Sequence, residues 1–334
     1  MRELQIKNNE AGQRLDKYLK KYLNLANSGF IYKMLRKKNI LLNNHRAKGN
    51  EMLVLEDVVT FYLSDDTLNK FKSEVPLYHM LSDNRIKDMI LYEDKNILLL
   101  NKPVGMLSQK SKIDDVSIVD MVIDYMIAKN ELTLEELRTF KPGICNRLDR
   151  NTTGIVVAGK SLLGLQEMGT LFKNRSIKKY YLCMVKGIVN KPMRIEGYLT
   201  KDEKRNKVLI KDSGESFIET AYKPLAIGDD VTLLKVHLIT GKTHQIRAHL
   251  ASIAHPILGD YKYGDKNSNT KYFKTYQLAT QLLHAYELIL PENTGALLSL
   301  SGKHFLAPLP SKFKKIIEDT KWQHGIPEDL EVQL

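Results

Sequence analysis

The sequence predicts an α+β protein: a small cationic α+β module at the N-terminus, followed by a larger domain built on a sheet. Three observations carry this. Short runs rich in β-branched and apolar residues recur at wide spacing, at 97–100, 155–158, 180–189 and 231–239, each the length of a buried strand. Stripes at helical spacing lie between and before them, beginning with Leu15, Tyr18, Leu19, Tyr22 and Leu23. Charge is uneven: residues 1–64 hold eight Lys and four Arg against two Asp and four Glu, a net of +6, half of the +12 carried by all 334 residues.

In chain order, the first stripe gives one amphipathic helix. Ser28 is placed to cap a second, which buries Ile31, Met34 and Leu35 and carries Lys33, Arg36, Lys37 and Lys38 on and just beyond it. Residues 40–42, 53–55 and 58–63 read as short strands, with Asn43-Asn44 as a turn and Arg46 and Lys48 nearby. A cationic helix backed by a compact strand unit suits a polyanion such as RNA. Residues 65–88 lack periodicity and read as a partly ordered linker.

The strand at 97–100 is broken by Lys102-Pro103-Val104-Gly105. Ser117 opens a helix with Ile118, Met121, Val122, Tyr125 and Met126. Ser161 caps another with Leu165, Met168 and Phe172 inward. Residues 201–211 read as an exposed hairpin or loop, 244–253 as a helix, and 262–274 as a mobile surface loop. Residues 288–290 and 297–300 suggest a closing hairpin, and Phe313, Ile316 and Ile317 a C-terminal helix. The tail after Gly325 is acidic and expected to fray. The domains are thus 1–64, a linker at 65–88, a main domain at 89–310, and a helix and tail at 311–334.

Composition narrows function. No apolar run is long enough to span a membrane, and the polar start MRELQIKNNE lacks the apolar core of a signal peptide, so a cytoplasmic protein is expected. Two cysteines, Cys145 and Cys183, suggest neither a disulfide framework nor a zinc knuckle. Gly241-Lys242-Thr243 resembles the end of a phosphate-binding loop, but Val236 stands where that motif requires Gly. His244 and His249 lie five residues apart, on different faces of one helix. With no acid among them and His255, they read as structural, and no metal is expected. There is no GxSxG elbow and no strand-linked GxGxxG.

The chemistry centres on residues 141–160, KPGICNRLDRNTTGIVVAGK. Asp149 stands between Arg147 and Arg150, where positive charge favours the carboxylate. A polar turn and then a core strand follow, a rigid mount for a reactive group. The pattern Arg147-Leu148-Asp149-Arg150-x-Thr152-x-Gly154 resembles the signature loop of the RluA-type RNA pseudouridine synthases. Residues 179–187, KYYLCMVKG, are similar to that family's KxY strand, and residues 240–250, TGKTHQIRAHL, to its TGRxHQIRxHL segment, continuing through 255–260. Weaker echoes are Tyr92-Glu93-Asp94, Lys102-Pro103-x-Gly105 and Leu283-His284-Ala285. The segment from Arg14 to Leu63 is similar to the small RNA-binding domain named after ribosomal protein S-four.

The resemblance implies a mixed, largely antiparallel central sheet with a catalytic cleft, and isomerisation of uridine to pseudouridine in structured RNA, most often large-subunit ribosomal RNA. Because the reaction gains no atoms, it needs no cofactor. Asp149 is implied as the essential acid, either attacking the ribose or assisting proton removal. Arg247 is implied as its bidentate partner, Tyr181 as the ring against the uracil and Arg147 as the side chain filling the place of the flipped base. Lys102, Lys179, Lys242, Thr243 and Arg150 are expected near substrate, with Lys33, Arg36, Lys37, Lys38, Arg46 and Lys48 on RNA phosphates. A monomer bound to RNA is expected; a non-catalytic RNA-binding factor, or the same enzyme on transfer RNA, are the alternatives. Two departures stand out. Asn146 replaces a usual His, and Asn151 a frequent Asp; both leave open the subgroup and the RNA site.

Overall fold

The protein is described by a computed structural model covering residues 1–73, 85–112, 114–202, 207–214 and 216–325. The acidic tail after Gly325 and residues 74–84 of the expected linker lie outside the described residues; the rest of that stretch includes α-helix at 65–70 and from residue 86 onward.

The N-terminal unit comprises β1 (Arg2–Gln5), α1 (Leu15–Tyr22), α2 (Ser28–Arg36), β2 (Ile40–Leu42), β3 (His45–Arg46), β4 (Val58–Phe61) and α3 (Asp65–Lys70). Its four strands run in the order β1-β4-β2-β3. Leu15, Tyr18, Leu19 and Tyr22 of α1 meet Ile31, Met34 and Leu35 of α2 over Val59 and Phe61. The cap of α2 is Asn27, whose side chain accepts from Phe30 N, rather than Ser28, which is already helical. Residues 53–55 are not a strand: Leu53 is buried, Val54 and Leu55 are exposed, and the chain turns at 55–56. The core also runs past residue 64, because α3 contributes the buried Leu68 and Phe71 packs behind it. Lys7 Nζ to Glu136 Oε1 at 2.9 Å and Arg138 Nη1 to Ser73 O at 2.7 Å tie this unit to the rest.

The larger unit holds α4 (Ile86–Met89), β5 (Ile90–Glu93), β6 (Ile97–Lys102), α5 (Ile118–Ala128), β7 (Gly143–Ile144), β8 (Thr153–Gly159), α6 (Leu162–Lys173), β9 (Lys178–Lys186), β10 (Met193–Asp202), β11 (Lys207–Lys211), β12 (Phe217–Gly228), β13 (Val231–Leu238), α7 (Gln245–Ser252), α8 (Lys266–Tyr276), β14 (Leu283–Ile289), β15 (His304–Leu306), α9 (Ser311–Asp319) and β16 (Trp322–His324). Among the described residues, twelve strands form one sheet, with the path β11-β10-β12-β13-β9-β14-β8-β6-β5 and β15, β16 and β7 on its flanks. Among the described residues, β8 with β14 is the parallel pair, so the sheet is mixed and largely antiparallel.

The alternation of strand side chains sorts the core. Leu98, Leu100, Val156 and Ala158 face α5, and the same layer continues through Tyr181, Cys183 and Val185 to Ile246 and Leu250 of α7. Ile97, Leu99, Ile155 and Val157 face the other way, onto Met168 of α6. Leu182, Met184 and Leu233 pack on α8 and α9. Both faces of the central strands are therefore covered, which is why they read as continuous apolar runs.

Two expectations are corrected here. Residues 266–274 of the stretch expected as a loop are helical: α8 is capped by Asp265 accepting from Ser268 N and docks through Asn269, which accepts from Gly259 N and donates to Asp260 O. Residues 297–300 belong to a 3₁₀ turn, Gly295–Leu300, and the hairpin partner of β14 is β15; a short apolar run does not reveal its own period. In the 201–211 stretch, β10 and β11 form an antiparallel hairpin.

Candidate active site

The cleft of about 850 Å³ lies where the loop before β8, the start of β9 and the turn into α7 converge. Each wall has a local cause. The loop carrying Asp149 is gripped on both sides of the acid. Ser108 Oγ donates to Leu148 O at 2.9 Å and accepts from Leu148 N. Gly105 N donates to Arg150 O, and Arg150 Nε donates back to Gly105 O, each at 3.0 Å. The loop closes with Thr152 N donating to Asp149 O. Asn146, one of the two departures, donates to Ile155 O and accepts from Val157 N at 2.8 Å, pinning the strand it precedes.

The third wall is folded by Gln245. Its Oε1 accepts from Lys242 N and meets Thr240 Oγ1, and its Nε2 donates to Glu219 O and Thr220 Oγ1. The chain passes through His244 in the left-handed region, φ 57, and enters α7, where residues 245–250 are all buried.

Arg247 reaches Asp149 from this helix: Nη1 lies 2.8 Å from Oδ2. Its fork, however, is engaged elsewhere. Nε and Nη2 donate to Asp260 Oδ2 and Oδ1 at 2.7 and 2.9 Å, so the expected bidentate partner is Asp260, and Asp149 receives the one remaining edge. Burial pushes the Asp260 carboxyl up, but the Arg247 bonds and the amides of Tyr263 and Lys262 outweigh it and hold it below the usual carboxylate range. Burial opposes the Arg247 charge, and its two acids more than restore it. His244 Nε2 stands 3.7 Å from the same oxygen of Asp149.

Tyr181 is buried and lines the cleft beside Asp149. Burial, and then the nearby Asp149 charge, raise its hydroxyl above the ordinary tyrosine value. Tyr180 faces away and stacks on His237 with centroids 4.7 Å apart. Lys179, Lys242, Thr243 and Arg147 all line the cleft, and burial with the neighbouring Arg175 lowers the Lys179 ammonium. Lys33, Arg36, Lys37, Lys38, Arg46 and Lys48 are exposed on the N-terminal unit.

Lys102 departs from expectation. It is fully buried and donates to the carbonyls of Pro103, Met106 and Arg150 at 3.0, 2.9 and 3.0 Å. Its ammonium clamps the Gly105 turn under the Asp149 loop and has no face left for substrate. The Arg150 guanidinium bonds Gly105 O, so the cation on Asp149 is Arg247 and not its sequence neighbour. Sequence reasoning also missed Ser108, Asp260, Tyr263 and the position of His244. Asp260 and His244 lay inside quoted motif stretches but had no catalytic role assigned there, and Ser108 and Tyr263 lay outside them.

A half-exposed carboxylate steadied by a buried arginine, in a cleft rimmed with cations and beside a buried tyrosine, defines an enzyme for a polyanionic substrate that uses one acid. The comparisons place it more closely. Residues 96–252 match the family model described as RNA pseudouridylate synthase. The chain is 30% identical over 290 residues to an uncharacterized RNA pseudouridine synthase of Mycoplasma genitalium, covering 84% of this chain and 86% of that one. It is 29% identical over 317 residues to the ribosomal large subunit pseudouridine synthase D of Borreliella burgdorferi (93% and 90%) and 30% identical over 288 residues to synthase C of Vibrio vulnificus (82% and 84%). The solved human RNA pseudouridylate synthase domain containing 4 shares the fold, with a TM-score of 0.57 at 23% identity over 72% of this chain and 96% of that one. The chain belongs to the RluA-type family of RNA pseudouridine synthases and is an isomerase of RNA.

Proposed function

We propose that this enzyme converts specific uridines of large-subunit ribosomal RNA to pseudouridine, with Asp149 as the reacting acid. The names of the relatives from Borreliella burgdorferi and Vibrio vulnificus support the ribosomal substrate. The observation that carries the reading is the 2.8 Å contact between Arg247 and Asp149 at the floor of the cleft. Both Arg247 and His244 approach Oδ2, which leaves Oδ1 as the oxygen for the ribose. The bond between C1′ and N1 breaks, the uracil turns, and C1′ joins C5. The proton leaves C5 and N1 ends protonated, so the product is an isomer. An acid on a doubly gripped loop is preorganised for either route, attack on C1′ or removal of a ribose proton.

Tyr181 stacks on the uracil and is placed for the C5 proton. Arg147, exposed at the rim, fills the stack after the nucleotide is pulled out, a step costing a few kcal/mol. Lys179, Lys242 and Thr243 hold the flanking phosphates. The N-terminal unit acts as an RNA-gripping module like that of ribosomal protein S-four, through Lys33, Arg36, Lys37, Lys38, Arg46 and Lys48.

Tritium release from transcripts carrying 5-tritiated uridine tests the reading, with ribosomal and transfer RNA as parallel substrates. Asp149→Asn is expected to lower turnover by at least about 10³-fold while keeping most RNA affinity. Retained turnover would remove Asp149 from the mechanism; release from transfer RNA alone would move the substrate.

A further inference from the structure

We propose that Tyr263 and His244 form a positioning pair for Asp149: the Tyr263 hydroxyl gives its proton to His244 Nδ1, which puts the imidazole N–H on Nε2 and aims it at Asp149 Oδ2. The inference rests on Asp149 being the reacting acid.

Three contacts in series lead to it. Val208 N, on β11, donates to Tyr263 Oη at 2.8 Å. That oxygen lies 3.1 Å from His244 Nδ1. His244 Nε2 lies 3.7 Å from Asp149 Oδ2. The hydroxyl accepts from a backbone amide and keeps its own proton to give; with that proton donated to Nδ1, the ring N–H lies on Nε2, the tautomer that can face Asp149. The 3.7 Å spacing to Asp149 is longer than a hydrogen bond, and it closes to one in the reacting complex. The backbone supports the assignment. His244 sits in the left-handed region, φ 57, a conformation that departs from the helix it opens and turns the ring into the cleft. Tyr263 is itself held by N–H donation to Asp260 Oδ1 at 3.0 Å and by the Arg247 guanidinium 5.2 Å from its ring centre. The acid is thus braced from two directions, by a charge through Arg247 and by a dipole through His244, and the second brace begins on the edge strand β11.

The groups facing His244 are Asp149 across the cleft, Arg247 on its own helix, and Asp260, Lys262 and Tyr263 on the loop beyond. Burial lowers the imidazole below its ordinary value; the Asp149 charge opposes this, and Arg247 and Lys262 reinforce it. Protonating Nδ1 destroys the acceptor that Tyr263 uses, so the pair favours the neutral ring. Removing the hydroxyl removes that preference.

Tritium release from large-subunit ribosomal RNA, followed across pH, tests the pair. Tyr263→Phe is expected to lower kcat about five- to tenfold, the worth of one hydrogen bond, with RNA affinity unchanged, and to move the acid limb of the kcat profile to higher pH. His244→Gln keeps an acceptor for Tyr263 and an N–H for Asp149 without titrating. It should retain more activity than His244→Ala and lose that limb. If Tyr263→Phe matches the wild type in kcat and in pH profile, or Gln and Ala at 244 behave alike, the pair has no positioning role. Should Tyr263→Phe fail to fold, the Gln and Ala comparison decides alone. Asp149→Asn run alongside separates the outcomes: loss of turnover there with no effect at 263 and 244 rejects only the pair, whereas retained turnover rejects the reading of Asp149.

Discussion

Arg247 and Lys102 are both cations, both buried, and both stand in stretches that resemble family motifs, yet they serve opposite ends of the site. Arg247 is surrounded by carboxylates, which favour its charge beyond the ordinary. Lys102 meets three backbone carbonyls and, among the described residues, no carboxylate within bonding distance. Burial lowers its ammonium to about 7, with the Asp149 charge opposing. The first orients the acid directly; the second fixes the loop on which the acid rides. Sequence resemblance marks both as site cations, and only the partners tell them apart.

Two substitutions separate the two kinds of cation, and a combined variant then probes the solvated ones, from the largest effect to the smallest. Arg247→Leu leaves Asp260 fully buried without its counter-ion. It is expected to cost about 3–5 kcal/mol of stability by denaturant titration and to abolish tritium release. A stable, active Arg247→Leu enzyme would show that Asp149 does not need this cation.

Lys102→Met should cost about 2–3 kcal/mol at neutral pH, from the stranded carbonyls, with RNA affinity retained. Its pH dependence sharpens the contrast. The folded group gives up its proton near pH 7 and the unfolded one near 10.5. Across that interval the unfolded chain holds more protons, so the Lys102 contribution to stability rises with pH. Wild type compared with Lys102→Met should therefore show a positive slope from about pH 7 toward 10.5. A parallel pair of curves would mean that Lys102 stays charged throughout.

The smallest effect on turnover is expected from the solvated cations. Changing Lys33, Arg36, Lys37 and Lys38 together to Gln should lower RNA affinity and reduce the slope of log K against log salt by up to about 3. Turnover at saturating RNA should stay near the wild-type rate. An unchanged salt slope would exclude this face from RNA contact.

The sequence made the central strands legible where both faces are buried, so 97–100 and 155–158 are continuous apolar runs, while 231–238 is apolar but for Thr232, Lys235 and His237. The helices after Ser117 and Ser161 were legible from their caps. Asp149 and Arg247 lie 98 residues apart, and neither spacing nor periodicity joins them; only the family resemblance did. What escaped is polar and local. Asp260 and Ser108 act through single side chains in irregular segments, which leave no periodic trace. The polar sequence of α8 reads as a loop because its hold on the fold comes from Asn269 and Tyr272 rather than from a stripe. Resemblance supplied Lys102 as a site residue, but burial and its three carbonyls could not be read from a Lys-Pro pair.

Gly154 sits at φ 108 in β8, where a methyl group would lie 2.2 Å from Ala285 O of β14. That tight approach is the seam of the sheet: His284 with Thr153 and Ala285 with Gly154 form its whole parallel register. Asp149 belongs to the half on one side, and Arg247, on the helix packed against β11 and β12, to the other. Their contact is therefore a latch across two half-sheets, and the cleft cannot be widened along this line for a bulky RNA without uncoupling its own acid.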